Sequence, residues 1–190
     1  MIPAIAMAFP LNTVKVPEIP TAVALSQQQN NELSVDPALI KQAEQAEHAR
    51  KIDAYFADRN MPLEGFGMKM VIEADKNDID WRLLPSIAVR ESTGGIHACK
   101  RVAHNSFGWG GCTIGFASTN AAIETIAKNL GGNNPRTAKY YDGKTIRQIL
   151  NTYNGLAVLA YATQVKDIMD QIEKYPIDDS LALSDSKINS

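Results

Sequence analysis

The sequence predicts an all-α fold, because every periodic stretch of apolar residues repeats at the interval of an α-helix. The chain has 190 residues and 45% of them are hydrophobic, which is enough to bury one ordinary core. No internal repeat is evident, and breaks rich in glycine or proline separate the periodic stretches. We therefore predict a single helical domain over residues 36–175.

Six helices are predicted along this domain from their apolar faces and their end signals. The first begins at Asp36 and Pro37, which suit an N-cap and a first helical turn. The third ends at Gly94 and Gly95, since glycine readily takes the left-handed conformation that closes a helix. Segment 96–117 is dense in glycine and aromatic residues, which is typical of a loop. The predicted helices cover approximately residues 36–60, 66–77, 81–92, 118–130, 143–155 and 156–175.

Both ends of the chain are predicted to lie outside the helical domain. Five of the nine prolines fall within the first 37 residues, and proline fixes φ and removes a backbone donor. Residues 9–35 are therefore expected to form a flexible, extended linker, which together with a possible partial signal sequence makes up residues 1–35. The small-residue pattern at positions 6–8 resembles the end of a secretory signal sequence whose basic front region is missing. Residues 176–190 lack a long apolar face, which predicts a flexible tail.

Charge and hydropathy argue against two classes of partner. The net charge of -2 at pH 7 gives no electrostatic case for nucleic acid. No apolar run approaches the roughly 20 residues of a membrane-spanning helix, so no integral membrane span is predicted. The sequence indicates no cofactor, and we expect a monomer.

The two cysteines, Cys99 and Cys112, flank a glycine-rich loop. A disulfide between them would stabilise the fold by roughly 3 kcal/mol and would indicate an oxidising compartment. Two separate thiols in a reducing compartment are the alternative. A zinc site that adds His97 and His104 is a third interpretation, but the closely spaced ligand pairs of structural zinc sites are lacking. We predict the disulfide and no metal.

One acidic residue, Glu91, falls on the apolar face of the third predicted helix. Leu84, Ile87 and Glu91 are three and four positions apart, which places them on one side of a helix. A carboxyl group keeps its proton more readily in apolar surroundings and at the carboxyl end of a helix. Both effects favour a general acid near neutral pH. Glu91 is therefore predicted to be catalytic; the alternative is a boundary glutamate that simply reaches water.

Four segments share their order with motifs of one superfamily: "IDWRLLPSIAVRESTGG", "NSFGWGG", "FASTNAAIETIAKNL" and "TYNG". They resemble the lysozyme-like superfamily, in particular the soluble lytic transglycosylases and bacterial glucosaminidase-type domains that cut peptidoglycan. Those proteins show a glutamate-serine pair at a helix end with a glycine shortly after, and a later tyrosine-asparagine pair in the cleft. An asparagine-aromatic-glycine-tryptophan-glycine stretch also recurs in relatives. The resemblance covers roughly residues 63–172.

The resemblance implies a lysozyme-like helical domain with a cleft. It implies cleavage of the β-1,4 bonds between N-acetylmuramic acid and N-acetylglucosamine, with peptidoglycan glycan strands as the partner. The protein would then be exported, as a periplasmic, wall-associated or extracellular enzyme. Glu91 matches the catalytic glutamate. The positions implied to bind substrate are Ser92, Asn105, Phe107, Trp109, Tyr153 and Asn154.

The resemblance leaves two reactions open. A hydrolase uses a second carboxylate beside the acid, and Asp142 in "YYDGK" is the best candidate. A lytic transglycosylase needs one glutamate, because the acetamido group of the substrate stabilises the sugar cation. The run "FGWGGCTIGF" replaces the glycine-leucine-methionine/isoleucine-glutamine run of the transglycosylases, so the subfamily stays open. The other interpretations are a non-catalytic glycan-binding wall module of the same fold, and a helical interaction domain in which Glu91 is incidental.

Overall fold

The computed structural model describes residues 36–155 and 157–177, and over these residues it confirms the all-α prediction. They form seven α-helices and no strand. None of the described helices is long and apolar enough to cross a bilayer. The predicted signal sequence and linker, and most of the predicted tail, lie outside the described residues. The helices are α1 Pro37–Ala57, α2 Gly67–Lys76, α3 Leu83–Ser92, α4 Thr119–Leu130, α5 Ala138–Tyr141, α6 Ile146–Asn154 and α7 Tyr161–Glu173.

Local capping signals explain where several helices begin and end. The Ser118 side chain accepts the backbone N–H of Ala121 at 3.1 Å and so starts α4. Thr145 starts α6 with a capping box, in which its side chain and that of the third helical residue satisfy each other's backbone groups. Thr93 ends α3 in the left-handed conformation, with a φ of 52°. The predicted loop after α3 is observed, with a short 3₁₀ turn at Trp109–Cys112.

The segment before α7 differs from the helix predicted over 156–175. α7 begins only at Tyr161, and residues 157–160 form bends and a turn. Val158 and Leu159 are exposed, Leu159 by 93%. This apolar run therefore has no core against which a helical face could be buried. The short helix α5 is absent from the prediction because four residues are too few to show a helical period.

α3 lies at the centre of the helical unit to which the described residues from Ala38 onward belong. Leu83, Leu84, Ile87 and Ala88 have no solvent exposure. α3 packs most extensively against α7, while α2 packs on both α3 and α4, and α6 packs on both α5 and α7. Because a close-packed interior resists displacement, this packing fixes the last turn of α3 relative to the first turn of α7.

Candidate active site

Glu91 lies in the last turn of α3, one turn beyond Ile87. It continues the stripe that contains Ile87, but its side chain is exposed. The fully buried part of the stripe ends at Ala88, so the last turn projects beyond the core. The predicted enclosure of Glu91 in apolar surroundings is therefore wrong. Its carboxyl group accepts a hydrogen bond from a tyrosine of α7 and lies beside a glycine of the loop after α3.

Tyr161 holds one oxygen of this carboxyl group. Its O–H donates a hydrogen bond to Glu91 Oε1 at 2.6 Å, and the tyrosine is only 3% exposed. Burial, followed by the hydrogen bond to Glu91, raises the pKa of Tyr161 far above its ordinary value, so its phenol stays protonated as a donor. Helical periodicity predicts only an inward position for Tyr161. A hydroxyl group on an otherwise apolar helix face is the sequence signal that points to a buried partner.

Gly108 brings the backbone close to the second carboxyl oxygen. Its φ of +65° is left-handed, a conformation that glycine adopts without steric strain. A Cβ atom placed on Gly108 would lie 2.6 Å from Glu91 Oε2. The missing side chain therefore leaves the space that the carboxyl group occupies.

Tyr153 forms an aromatic wall next to this contact. Its O–H donates a hydrogen bond to the Phe107 carbonyl at 2.6 Å. Its ring stacks on that of Tyr161 with centroids 6.4 Å apart, and its centroid is 5.5 Å from that of Trp109. Burial raises the pKa of Tyr153 well above its ordinary value, so this hydroxyl also keeps its proton. Tyr153 thereby ties the loop after α3 to α6.

Asn105 holds that loop in shape. It is fully buried, and its Nδ2 donates to the carbonyls of Trp109 and Ile114, both at 2.9 Å. Its Oδ1 accepts the backbone N–H groups of Phe107 and Trp109 at 3.3 and 3.1 Å. All four hydrogen bonds go to the backbone, so Asn105 shapes the loop, and the predicted contact with substrate is wrong.

Ser92 and Phe107 are also interior residues. The Ser92 hydroxyl donates to the Ser106 carbonyl at 2.6 Å and accepts the Gly95 N–H at 2.9 Å, and Ser92 is 3% exposed. Phe107 has no exposure and belongs to the hydrophobic core. Neither side chain is accessible to a glycan, so both predicted substrate contacts are wrong. These residues instead anchor the loop behind the site.

Asn154 is the last residue of α6. Its Nδ2 donates a hydrogen bond to the Val158 carbonyl at 3.1 Å. This bond closes the turn that leads to α7, and therefore to Tyr161. The structure gives Asn154 a role in this turn and does not place it in the walls of the groove described below.

Cys99 and Cys112 form the predicted disulfide, with sulfurs 2.00 Å apart and Cα atoms 5.4 Å apart. The bond closes the loop that carries Gly108 and Trp109. Because both sulfurs are bonded to each other in the disulfide, neither can bind zinc as a thiolate, and the zinc interpretation is wrong. Within the described ranges, no group of three histidine, cysteine, aspartate or glutamate side chains is arranged to hold a metal ion.

Removing this disulfide is expected to lower the free energy of unfolding by about 3 kcal/mol, since the bond restricts the unfolded chain. The double variant Cys99→Ser/Cys112→Ser and the reduced wild type should unfold at similar, lower urea concentrations than the oxidised protein. Reductant should leave the double variant unchanged, which controls for effects on the rest of the fold. Two reactive thiols in the native, unreduced protein would contradict the pairing.

A groove of about 600 Å³ opens beside Gly108 and Trp109. The rings of Tyr141 and Tyr153 also line it, together with Ile114 and Phe116 from the loop after α3 and polar side chains from α4 and from the segment between α4 and α5. Among the described residues, no aspartate or glutamate lines this groove. Asp142 lines a separate cavity of about 230 Å³. Glu91 is not itself a lining residue, but its carboxyl group lies beside Gly108, which lines the groove.

Trp109 and Tyr153 are thus the two predicted substrate-binding residues that line the groove, and Glu91 lies beside Gly108, the residue before Trp109. Comparison with family models, with curated proteins and with solved structures gives no match for this chain. The interpretation of the site therefore depends on its geometry and on the motifs quoted above.

Proposed function

We propose that this protein cleaves the β-1,4 bonds of peptidoglycan glycan strands with Glu91 as its single general acid and base. The observation that carries the proposal is the Glu91 carboxyl group, which accepts a hydrogen bond from Tyr161 at one oxygen and lies beside Gly108, a residue that lines an aromatic groove. A carboxyl group held in one orientation beside a bound saccharide meets the geometric requirement for proton transfer.

The proposed reaction has two balanced steps. In the first, Glu91 gives its proton to the glycosidic oxygen, the C1–O bond breaks, and the acetamido oxygen of the same sugar bonds to C1. In the second, the Glu91 carboxylate takes the proton of that sugar's 6-hydroxyl, whose oxygen bonds to C1 as the acetamido oxygen leaves. The products are one strand with a free hydroxyl and one with a 1,6-anhydro end, and Glu91 is protonated again.

The lining of the groove supports this one-acid route over hydrolysis. A hydrolase positions a second carboxylate across the scissile bond. Glu91 lies beside the lining residue Gly108, and no aspartate or glutamate of the described residues lines the groove opposite it. Tyr161 keeps its own proton, so it orients the Glu91 carboxyl group without competing as an acid.

The aromatic side chains would bind the sugars. Trp109 is partly exposed in the groove, with Tyr141 and Tyr153 nearby at centroid distances of 6.5 and 5.5 Å. Aromatic rings present flat apolar surfaces that match the apolar faces of pyranose rings. Trp109 and Tyr153, both partly exposed, therefore suit stacking against sugars, whereas Tyr141 is only 7% exposed and offers little surface.

An exported location is part of the proposal. The Cys99–Cys112 disulfide supports it, because such bonds persist in oxidising compartments. The bond closes the site loop, so the proposed enzyme suits the periplasm, the cell wall or the extracellular space.

Incubation of the purified chain with peptidoglycan sacculi tests the proposal. Mass spectrometry of the released fragments should show 1,6-anhydro ends. Reducing ends instead would contradict the transglycosylase route and favour hydrolysis. Binding to sacculi without any release would contradict cleavage altogether and favour the non-catalytic glycan-binding module.

A further inference from the structure

We infer that Arg136 recognises a carboxylate on the bound polymer, so that the groove selects acidic glycans over neutral ones of the chitin type. This inference rests on the proposed function in so far as it takes the ligand to be a glycan. The proposed reaction does not specify which chemical feature of a glycan strand the groove recognises, and the inference names that feature as a carboxylate.

Arg136 is the one charged side chain among the described residues that line the groove. It is exposed, and within the described ranges its guanidinium group forms no ion pair and no side-chain hydrogen bond. The other lining residues are aromatic, aliphatic, amide, hydroxyl or glycine residues. A single positive charge in a groove with no negative lining favours an anionic group on the ligand.

The segment that carries Arg136 is held in a defined shape by a polar network. Asn129 is 2% exposed, and its Oδ1 accepts the Thr137 hydroxyl at 2.5 Å and the Asn134 Nδ2 at 3.0 Å. The Asn134 Oδ1 in turn accepts the backbone N–H of Arg136 at 3.1 Å. The buried amide of Asn129 thus fixes the backbone at Arg136, and only the side chain has to be ordered on binding.

The guanidinium group suits a carboxylate better than a neutral sugar. Its planar fork forms two parallel hydrogen bonds with the two carboxylate oxygens, whereas a sugar hydroxyl offers single, uncharged ones. Two parts of peptidoglycan carry carboxylates: the peptide attached to the muramic acid, and its lactyl group once that peptide has been removed. Chitin oligosaccharides carry neither, and they share the N-acetylated pyranose rings that would stack on Trp109.

Binding to three soluble oligosaccharides of equal length tests the inference: peptide-bearing glycan, glycan stripped of peptide by an amidase, and chitin oligosaccharide. Calorimetry in the Glu91→Gln background prevents turnover and keeps the experiment independent of catalysis. Arg136→Gln should weaken the binding of the acidic glycans at least about fivefold and leave the chitin oligosaccharide unchanged. Arg136→Lys should retain part of the preference, and Arg147→Gln, an exposed arginine outside the groove, should retain all of it.

The two acidic ligands separate the two sources of the carboxylate. Loss of affinity for the peptide-bearing glycan alone assigns the contact to the peptide, and loss for the stripped glycan alone assigns it to the lactyl group. Equal affinity of the parent protein for all three ligands, or an equal change for all three in Arg136→Gln, would overturn the inference. Acidic selectivity that depends on Arg136 in a protein that releases no fragments would sustain the inference while the proposed cleavage fails.

Discussion

Glu91→Gln is expected to reduce the release of glycan fragments from sacculi by about 10²- to 10⁴-fold, the range that a positioned general acid or base contributes. Glutamine has the same shape and can still accept the Tyr161 hydrogen bond at its carbonyl oxygen. It cannot give a proton to the glycosidic oxygen or take one from the 6-hydroxyl, so both proposed steps lose their proton carrier. Because Glu91 is exposed, the free energy of unfolding should change by no more than about 0.5 kcal/mol.

Glu64→Gln is the matched control, since Glu64 is also an exposed glutamate and does not line the groove. Its rate of fragment release should equal that of the wild type. The measurement is the initial rate of fragment release at equal protein concentration, with urea unfolding to verify the fold. A Glu91→Gln variant that keeps more than about a tenth of the wild-type rate would show that another group carries the proton.

Local sequence patterns predicted most of the helices and the position of Glu91, because these depend on residues three or four positions apart. The shape of the loop after α3 also follows from local hydrogen bonds. Helical periodicity carries no information about a loop, so it could not predict that Asn105 is buried. The resemblance placed Asn105 and Phe107 near the substrate, whereas the structure uses them to build the loop that presents Gly108 and Trp109.

The contacts that orient the carboxyl group join distant parts of the chain. Tyr161 is 70 positions from Glu91, and Tyr153 is 46 positions from Phe107. No local signal specifies such pairs: the first follows from the packing of α3 against α7, and the second joins α6 to the loop after α3. The exposure of Glu91 has the same origin. A helical stripe shows which side of α3 faces inward, but where the core ends along that side depends on the neighbouring helices.

Gly108→Ala is expected to lower the rate of glycan cleavage by about 10²-fold, the cost of displacing a reacting group by about 1 Å. The added methyl group would lie 2.6 Å from Glu91 Oε2, well inside van der Waals contact. The flexible end of the Glu91 side chain would move to relieve this contact, so the carboxyl group would turn away from its position beside Tyr161. The left-handed backbone adds strain of about 1 kcal/mol for alanine, which lowers stability to a similar extent.

Gly143→Ala separates these two effects, because Gly143 has nearly the same left-handed φ and does not line the groove. Its φ is +63°, compared with +65° for Gly108, but a Cβ atom there would meet nothing within 4 Å. Both variants should therefore lose a similar amount of stability in urea unfolding, whereas only Gly108→Ala should lose activity. Equal activity in the two variants would show that the close approach of Gly108 to Glu91 has no part in positioning the acid. A matching loss of activity in both would assign the effect to the loss of stability.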